Sequence, residues 1–187
     1  MNKLNTHAKV ILVGESNVGK TNIATRIYNK KFNIDEPTIG ANFFSITFID
    51  DNNKYKMQIW DTAGQEKYRS FIPMFIRGVN VVLFIYDKCD THGFDNIFNY
   101  WIPYIKSLLE YVPIMYVISN KEDLKCDHIS DDILNQTIGN DVKFFKTSAK
   151  NNVGIEELLI ELKKDVKQFG ISTPIEQSII QTYHCCR

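Results

Sequence analysis

Apolar residues recur along the chain in short unbroken runs separated by longer amphipathic stretches. The runs at 10–13, 81–86 and 114–118 contain no charged residue, the pattern of strands buried on both faces of a parallel sheet. Between them lie helical periodicities. Phe94, Ile97, Phe98, Trp101, Ile105 and Leu108 fall at spacings of three and four, which predicts a helix whose aromatics face the core. Ile23, Ile27 and Tyr28 fall near one stripe of an earlier helix. Ile155, Leu158, Leu159, Leu162 and Val166 predict a later one, with Asn151 or Asn152 as its cap.

From 41 to 60 the period changes to two, predicting a hairpin that turns at Asp51, Asn52 and Asn53. Phe44, Ile46 and Phe48 share one face of its first strand, and Tyr55, Met57 and Ile59 share one face of its second. That leaves Phe43 beside Ser45 and Thr47, and Trp60 beside Lys56 and Gln58. Two large aromatics on a half-polar face mark either a binding surface or a face covered by a helix. With a short strand at 142–145, the pattern predicts an α/β fold. Its sheet has six strands, mostly parallel with one antiparallel strand, and helices on both faces. There is no internal repeat, and after Gly170 the periodicity fades into a polar, irregular tail over 171–183.

Length and charge narrow the picture. A chain of 187 residues suits one domain with a real core. Its 22 Lys and Arg balance its 22 Asp and Glu, so net charge does not point to nucleic acid or an anionic surface as the main partner. Cys89, Cys126, Cys185 and Cys186 have neither zinc spacing nor the density of a disulfide framework, and residues 1–7 lack a hydrophobic signal core. The expectation is an intracellular protein. No apolar stretch reaches the roughly 18 residues of a membrane span. His7, His92, His128 and His184 are scattered and suggest no metal site.

The candidate chemistry begins directly after the first apolar run. Gly14, Glu15, Ser16, Asn17, Val18, Gly19, Lys20 and Thr21 form a glycine-flanked loop ending in Lys-Thr, and Asn22 continues into the first helix. Successive backbone N–H groups of such a loop point inward around a β-phosphate, and the helix N-terminus favours negative charge. Lys20 adds a point charge between β- and γ-phosphates, and the Thr21 hydroxyl is a ligand for Mg²⁺.

Three further segments follow strands on the same side of the predicted sheet. Asp61 ends the second hairpin strand, near enough to a metal to accept a hydrogen bond from one of its waters. Gly64 offers a backbone N–H to a γ-phosphate, and Gln65 suits the orienting of an attacking water, since a carboxamide is a very poor base. Asn120, Lys121 and Asp123 follow the 114–118 strand. A buried Asp123 accepts two hydrogen bonds from guanine and would be left unsatisfied by adenine. Ser148, Ala149 and Lys150 follow 142–145: the Ala149 N–H suits guanine O6, and the stems of Lys121 and Lys150 cover the base.

Taken in succession, GESNVGKT, the TIG of 38–40, WDTAGQE, NKED and TSAK resemble a small GTPase of the Ras superfamily. Trp60 ahead of DTAGQ, the TIG, and Arg77-Gly78 resemble the Rab branch in particular, and GESNVGKT, EKYRS and Pro73-Met74 are similar to endocytic Rab proteins. The resemblance covers about 8–168, which implies a P-loop G-domain there, an extension over 1–7 and a flexible tail over 169–187.

It implies a monomeric GTP/GDP switch that hydrolyses GTP with Mg²⁺, Gln65, Lys20 and Thr38 carrying the reaction. Thr38 ligates the metal only when a γ-phosphate is present, Phe32 packs against guanine, and 32–40 and 62–75 are the two switches. Phe43, Trp60 and Phe75 match the aromatic triad through which Rab proteins meet effectors, in agreement with the strand faces. Exchange factor, GTPase-activating protein, GDP-dissociation inhibitor and escort protein are the further partners implied.

The first switch departs from the family: Asn33, Ile34, Asp35, Glu36 and Pro37 make it one residue short and without an aromatic. Asn17 stands where a small residue is common, and Ser119 where Gly is common. No Arg lies between Tyr28 and Thr38, so a cis arginine finger is not evident and intrinsic turnover on the order of 10⁻⁴ s⁻¹ is expected.

Cys185-Cys186-Arg187 is not a C-a-a-X box but resembles the paired-cysteine ends of Rab proteins, which carry two geranylgeranyl groups. One lipid binds only marginally without a basic patch, and 171–184 holds Glu176 but no Lys or Arg. The linker from about 169 would reach roughly 20 to 25 Å as a coil. The expectation is a cytoplasmic protein that cycles onto the cytosolic face of an intracellular membrane such as the endosome. Two other classes stand beside it: a guanine-nucleotide scaffold that does not cycle, and an ATP-dependent phosphotransferase, against which Asp123 argues.

Overall fold

The computed structural model describes residues 5–32, 37–126, 137 and 141–169, with the backbone alone for Asn5, Glu66 and Lys67. Residues 33–36 of the first switch, and Cys185 and Cys186, lie outside them.

The three charge-free runs form the centre of a sheet. β1 (Asn5–Val13), β4 (Val81–Asp87) and β5 (Ile114–Asn120) pair in parallel, and β6 (Val142–Lys146) continues them on one side. On the other side β3 (Asn53–Thr62) runs parallel to β1, and β2 (Ala41–Asp50) lies antiparallel at the edge. The order is β2-β3-β1-β4-β5-β6, six strands as the pattern predicts. Asp51 and Asn52, both at positive φ (46° and 62°), make a two-residue turn closed by the Asp50–Asn53 pair. Asn and Asp tolerate that conformation, and its twist suits a hairpin.

Alternation along β1 assigns the faces. Val10 and Leu12 pack with Ile23, Ala24 and Ile27 of α1 (Lys20–Asn29) and with Leu158, Leu162 and Val166 of the C-terminal helix α5 (Ile155–Gln168). Ile11 and Val13 face the opposite layer. That layer holds α2 (Ile72–Ile76) and a continuous helical stretch of α3 (Thr91–Asn96), a π turn (Ile97–Trp101) and α4 (Ile102–Ser107). The predicted aromatic stripe is its core side: Phe94, Ile97, Trp101 and Ile105 are buried, and Phe98 and Leu108 half-buried. The wide turn accompanies Pro103, which has no N–H to donate to the preceding turn.

Two local expectations are corrected. Tyr28 is half exposed and leans on Phe44, ring centroids 5.4 Å apart, while Ala24 occupies the core position beside Ile23. Neither Asn151 nor Asn152 caps α5; Gly154 does, at φ 70°. A Cβ on Gly154 would stand 2.1 Å from the Lys146 carbonyl oxygen, so the close approach of that turn to β6 demands glycine there.

Candidate functional site

The C-terminal ends of the parallel strands bring the predicted segments together, as open α/β sheets place ligands. The loop from Gly14 to Lys20 wraps the end of β1, and its two glycines are sterically required. A Cβ on Gly14 would meet the Ile85 carbonyl oxygen at 2.1 Å, and one on Gly19 the Asn120 amide nitrogen at 2.3 Å. Asn17 takes a left-handed φ of 62°, a conformation its short polar side chain tolerates. Lys20 curls back across the loop and donates to the carbonyls of Glu15 (2.7 Å) and Gly14 (3.1 Å). Burial lowers its pKa to about 8, while the charges of Asp61 and Glu15 act to raise it. Gly64, just beyond β3, passes so close that a Cβ there would lie 2.3 Å from Lys20 Nζ.

Thr21, Thr38 and Asp61 converge although they lie on α1, a loop and β3. The Thr21 hydroxyl donates to Asp61 Oδ2 at 2.7 Å and lies 2.9 Å from the Thr38 hydroxyl. Asn42, which the sequence pattern did not single out, also donates to Asp61 Oδ2, at 3.3 Å. Among the described residues, the buried Asp61 Oδ1 has no hydrogen-bond partner. Burial raises the Asp61 carboxyl above its usual range, against the Thr21 hydrogen bond, the Lys20 charge and the hydrogen bonds of Asn42 and Thr38. Two hydroxyls and one buried carboxylate, whose Oδ1 has no partner among the described residues, are hard oxygen donors of the kind that Mg²⁺ takes, so the residues present fit that ion.

A separate network joins the predicted base-recognition segments. Asn120, buried at the end of β5, donates to the Val18 carbonyl at 2.8 Å and accepts from Thr147 Oγ1 (3.1 Å) and the Ala149 N–H (3.2 Å). It thereby ties the phosphate loop to 147–149. Ser148 Oγ donates to Asp123 Oδ1 at 2.5 Å and accepts from the Asn151 N–H at 3.0 Å. Lys121 pairs with Asp87 at 2.9 Å, and Lys150 Nζ lies 4.0 Å from Asp123 Oδ2. Ser119 Oγ donates to Glu122 Oε1 at 2.8 Å.

Several participants escaped the sequence reading. Arg26 donates to the carbonyls of Ala149 (2.7 Å) and Lys150 (2.9 Å) and places its guanidinium 5.7 Å from the Phe32 ring centroid, so α1 holds the base loop directly. Glu15, assigned only for its backbone, receives Arg69, Asn96 and the Trp101 indole N–H on its carboxylate. Cys89 and Cys126 are joined by a disulfide. Apart from Arg26 and Phe32, these partners lie tens of residues apart, and no local pattern announces them.

The aromatic triad is contiguous. Phe43 and Trp60 are register partners with rings 5.1 Å apart, and Trp60 lies 5.7 Å from Phe75. Phe43 is half exposed, whereas Trp60 and Phe75 are partly buried against the α2–α4 layer. The face is thus partly covered and partly open. Gln65 precedes the 3₁₀ turn Glu66–Phe71 that leads into α2.

Comparison with known proteins agrees with this geometry. The profile of the Ras family matches residues 9–168. The chain is 36% identical to a putative Ras-related protein Rab-5B of Dictyostelium discoideum, over 86% of this chain and 76% of that protein. It is 36% identical to Ras-related protein Rab-8B of the same organism, over 89% and 83%. It is 33% identical to human Ras-related protein Rab-22A, over 89% and 87%.

Proposed function

The chain belongs to the Ras family, in its Rab branch, and is a guanine-nucleotide-binding GTPase of vesicle trafficking; from that membership we propose a Mg²⁺-dependent switch with a slow intrinsic clock. The observation that carries the finer reading is the meeting of the Thr21 and Thr38 hydroxyls with the Asp61 carboxylate, whose Oδ2 accepts from Thr21 and whose buried Oδ1 has no partner among the described residues. When bound there, Mg²⁺ supplies charge neutralisation to the β- and γ-phosphates.

The chain's own residues do the rest. Loop N–H groups from Glu15 to Asn22 and the Lys20 ammonium hold the phosphates, for which Lys20 gives up the two carbonyls it now caps. Gln65 orients the attacking water. Asp123 accepts from guanine, the Ala149 N–H donates to it, and Phe32, Lys121 and Lys150 flank the base, while Ser148 and Asn120 fix Asp123 and the Ala149 loop. Thr38 and Gly64 reach the γ-phosphate from the two switches, so its loss releases both.

Regulators and effectors are the kinds of partner such a protein has. Effectors dock at Phe43, Trp60 and Phe75. Without a cis arginine finger, a GTPase-activating protein supplies the missing charge. Geranylgeranylated Cys185 and Cys186 anchor the chain to the cytosolic face of an endosomal membrane, and a GDP-dissociation inhibitor and an escort protein handle the lipids. A non-cycling scaffold is not favoured, because the Thr21, Thr38 and Asp61 cluster supports a site that distinguishes GTP from GDP.

Single-turnover hydrolysis of GTP by the full chain tests the proposal. Turnover on the order of 10⁻⁴ s⁻¹ with Mg²⁺, abolished by chelation, is expected. Tight GTP binding without any turnover would leave only the scaffold.

A further inference from the structure

The tails of β4 and β5 run side by side toward the proposed base site. Asp87 and Asn120 are the last register pair, and beyond it the Lys88 N–H donates to the Asn120 carbonyl at 3.0 Å. Ion pairs continue the contact, Lys121 to Asp87 at 2.9 Å and Lys88 to Glu122 at 3.4 Å. At the far end the Cα atoms of Cys89 and Cys126 are 5.6 Å apart and their sulfurs are bonded, closing a loop between residues 37 apart in sequence.

This bond brackets the segment that carries Asn120, Lys121 and Asp123. Asn120 anchors one end of that segment in the sheet, and Cys126 tethers the other. With the thiols reduced, the far end is held by the Glu122 N–H on the Thr147 carbonyl, by Ser119 on Glu122, by Ser148 on Asp123, and by the ion pairs of Lys121 with Asp87 and Lys88 with Glu122, none of them covalent. Nucleotide release requires such a segment to open locally, and a covalent tether raises the free energy of opening. Cys89 is exposed and Cys126 half-buried, so small thiols reach the bond.

We propose that Cys89 and Cys126 form a thiol–disulfide modification site that controls how fast guanine nucleotide is released, closed for slow release and open for fast. The oxidant is a low-molecular-weight disulfide such as oxidised glutathione. One cysteine thiolate attacks it, forming a mixed disulfide and expelling one glutathione thiolate. The second cysteine thiolate then attacks the protein sulfur, forming the Cys89–Cys126 bond and expelling the second glutathione. Two protein thiols are oxidised and one glutathione disulfide is reduced to two thiols. Reversible disulfides inside cells are characteristically regulatory of this kind. The inference rests on the guanine reading of Asn120 and Asp123.

The test follows dissociation of a fluorescent GDP analogue from the full chain after equilibration with reduced or oxidised glutathione, with the Cys89–Cys126 linkage checked by peptide mass mapping. Release about threefold to tenfold slower from the oxidised chain is expected. Cys89→Ser and Cys126→Ser should each release at the fast rate under both conditions. Equal rates with the linkage formed, failure of the linkage to form, or a redox response that survives Cys89→Ser would each overturn the proposal. A chain that retains no analogue in either state would overturn the guanine reading and this inference with it. Retention that ignores redox state overturns this inference alone.

Discussion

Arg69 places Nη2 2.8 Å from both carboxylate oxygens of Glu15, joining the 3₁₀ turn Glu66–Phe71 to the loop after β1 across 54 residues of sequence. The same guanidinium lies 5.1 Å from the Tyr100 ring and 5.3 Å from the Trp101 ring, and the Trp101 indole N–H also reaches Glu15. The loop after β1, the 3₁₀ turn and the π turn are therefore one polar cluster. The Arg69–Glu15 ion pair within it is partly exposed, and such a pair contributes about 1 kcal/mol or less to global stability.

Its larger effect is local. Arg69→Ala should leave the guanidinium-denaturation midpoint nearly unchanged but speed proteolytic cleavage within 66–71 severalfold in the GDP-bound chain, because the turn loses its tether. Limited proteolysis followed by mass spectrometry reads this directly. Unchanged cleavage would mean that packing of α2 alone holds the turn.

Asn120→Ala removes the donor to the Val18 carbonyl and the acceptor for Thr147 and Ala149 at once. Each buried group left unpaired should cost about 1–3 kcal/mol of stability. It should also accelerate GDP release, since phosphate loop and base loop are no longer joined. Chemical denaturation and nucleotide release measured on the same preparation check both.

Gln65→Leu should slow single-turnover GTP hydrolysis by about tenfold or more while leaving GTP affinity within about twofold, because the carboxamide acts on the attacking water and not on the bound ground state. Equal rates for the two proteins would remove Gln65 from that role.

Stability at alkaline pH should report on a cluster remote from the site. The Tyr116 hydroxyl donates to Asp165, which also accepts from Lys143 at 2.7 Å. Burial, then the Asp165 hydrogen bond and charge, hold the Tyr116 pKa far above its ordinary 10. An acid with a raised folded pKa favours the folded state until the unfolded chain ionises, so its contribution is full below pH 10 and falls above it. Tyr116→Phe should therefore be less stable than the parent at pH 8, with the gap closing as pH climbs past about 10. A gap independent of pH would contradict the assignment.

The layer order was readable because period and burial agree: 10–13, 81–86 and 114–118 are central strands, and Asp51 and Asn52 make the hairpin turn that their residue types favour. The site was readable for the same local reason, since glycines with steric duties and polar residues just past apolar strands are short-range signals. What escaped is long-range. Arg26 on Ala149, Arg69 on Glu15 and the Cys89–Cys126 bond join residues 123, 54 and 37 apart, and nothing within either segment announces its partner. The cap of α5 was misread because an Asn is a good cap in general, whereas here the approach to the Lys146 carbonyl admits only glycine.

Guanine selectivity is the claim on which the rest turns, and it is measured by titration calorimetry of the full chain with GTP, XTP and ATP in the presence of Mg²⁺, alongside Asp123→Asn. GTP should bind at least about 10³-fold more tightly than ATP, and Asp123→Asn should shift preference toward XTP by roughly 10²-fold or more. Equal affinity for GTP and ATP, or a preference untouched by Asp123→Asn, would contradict the account.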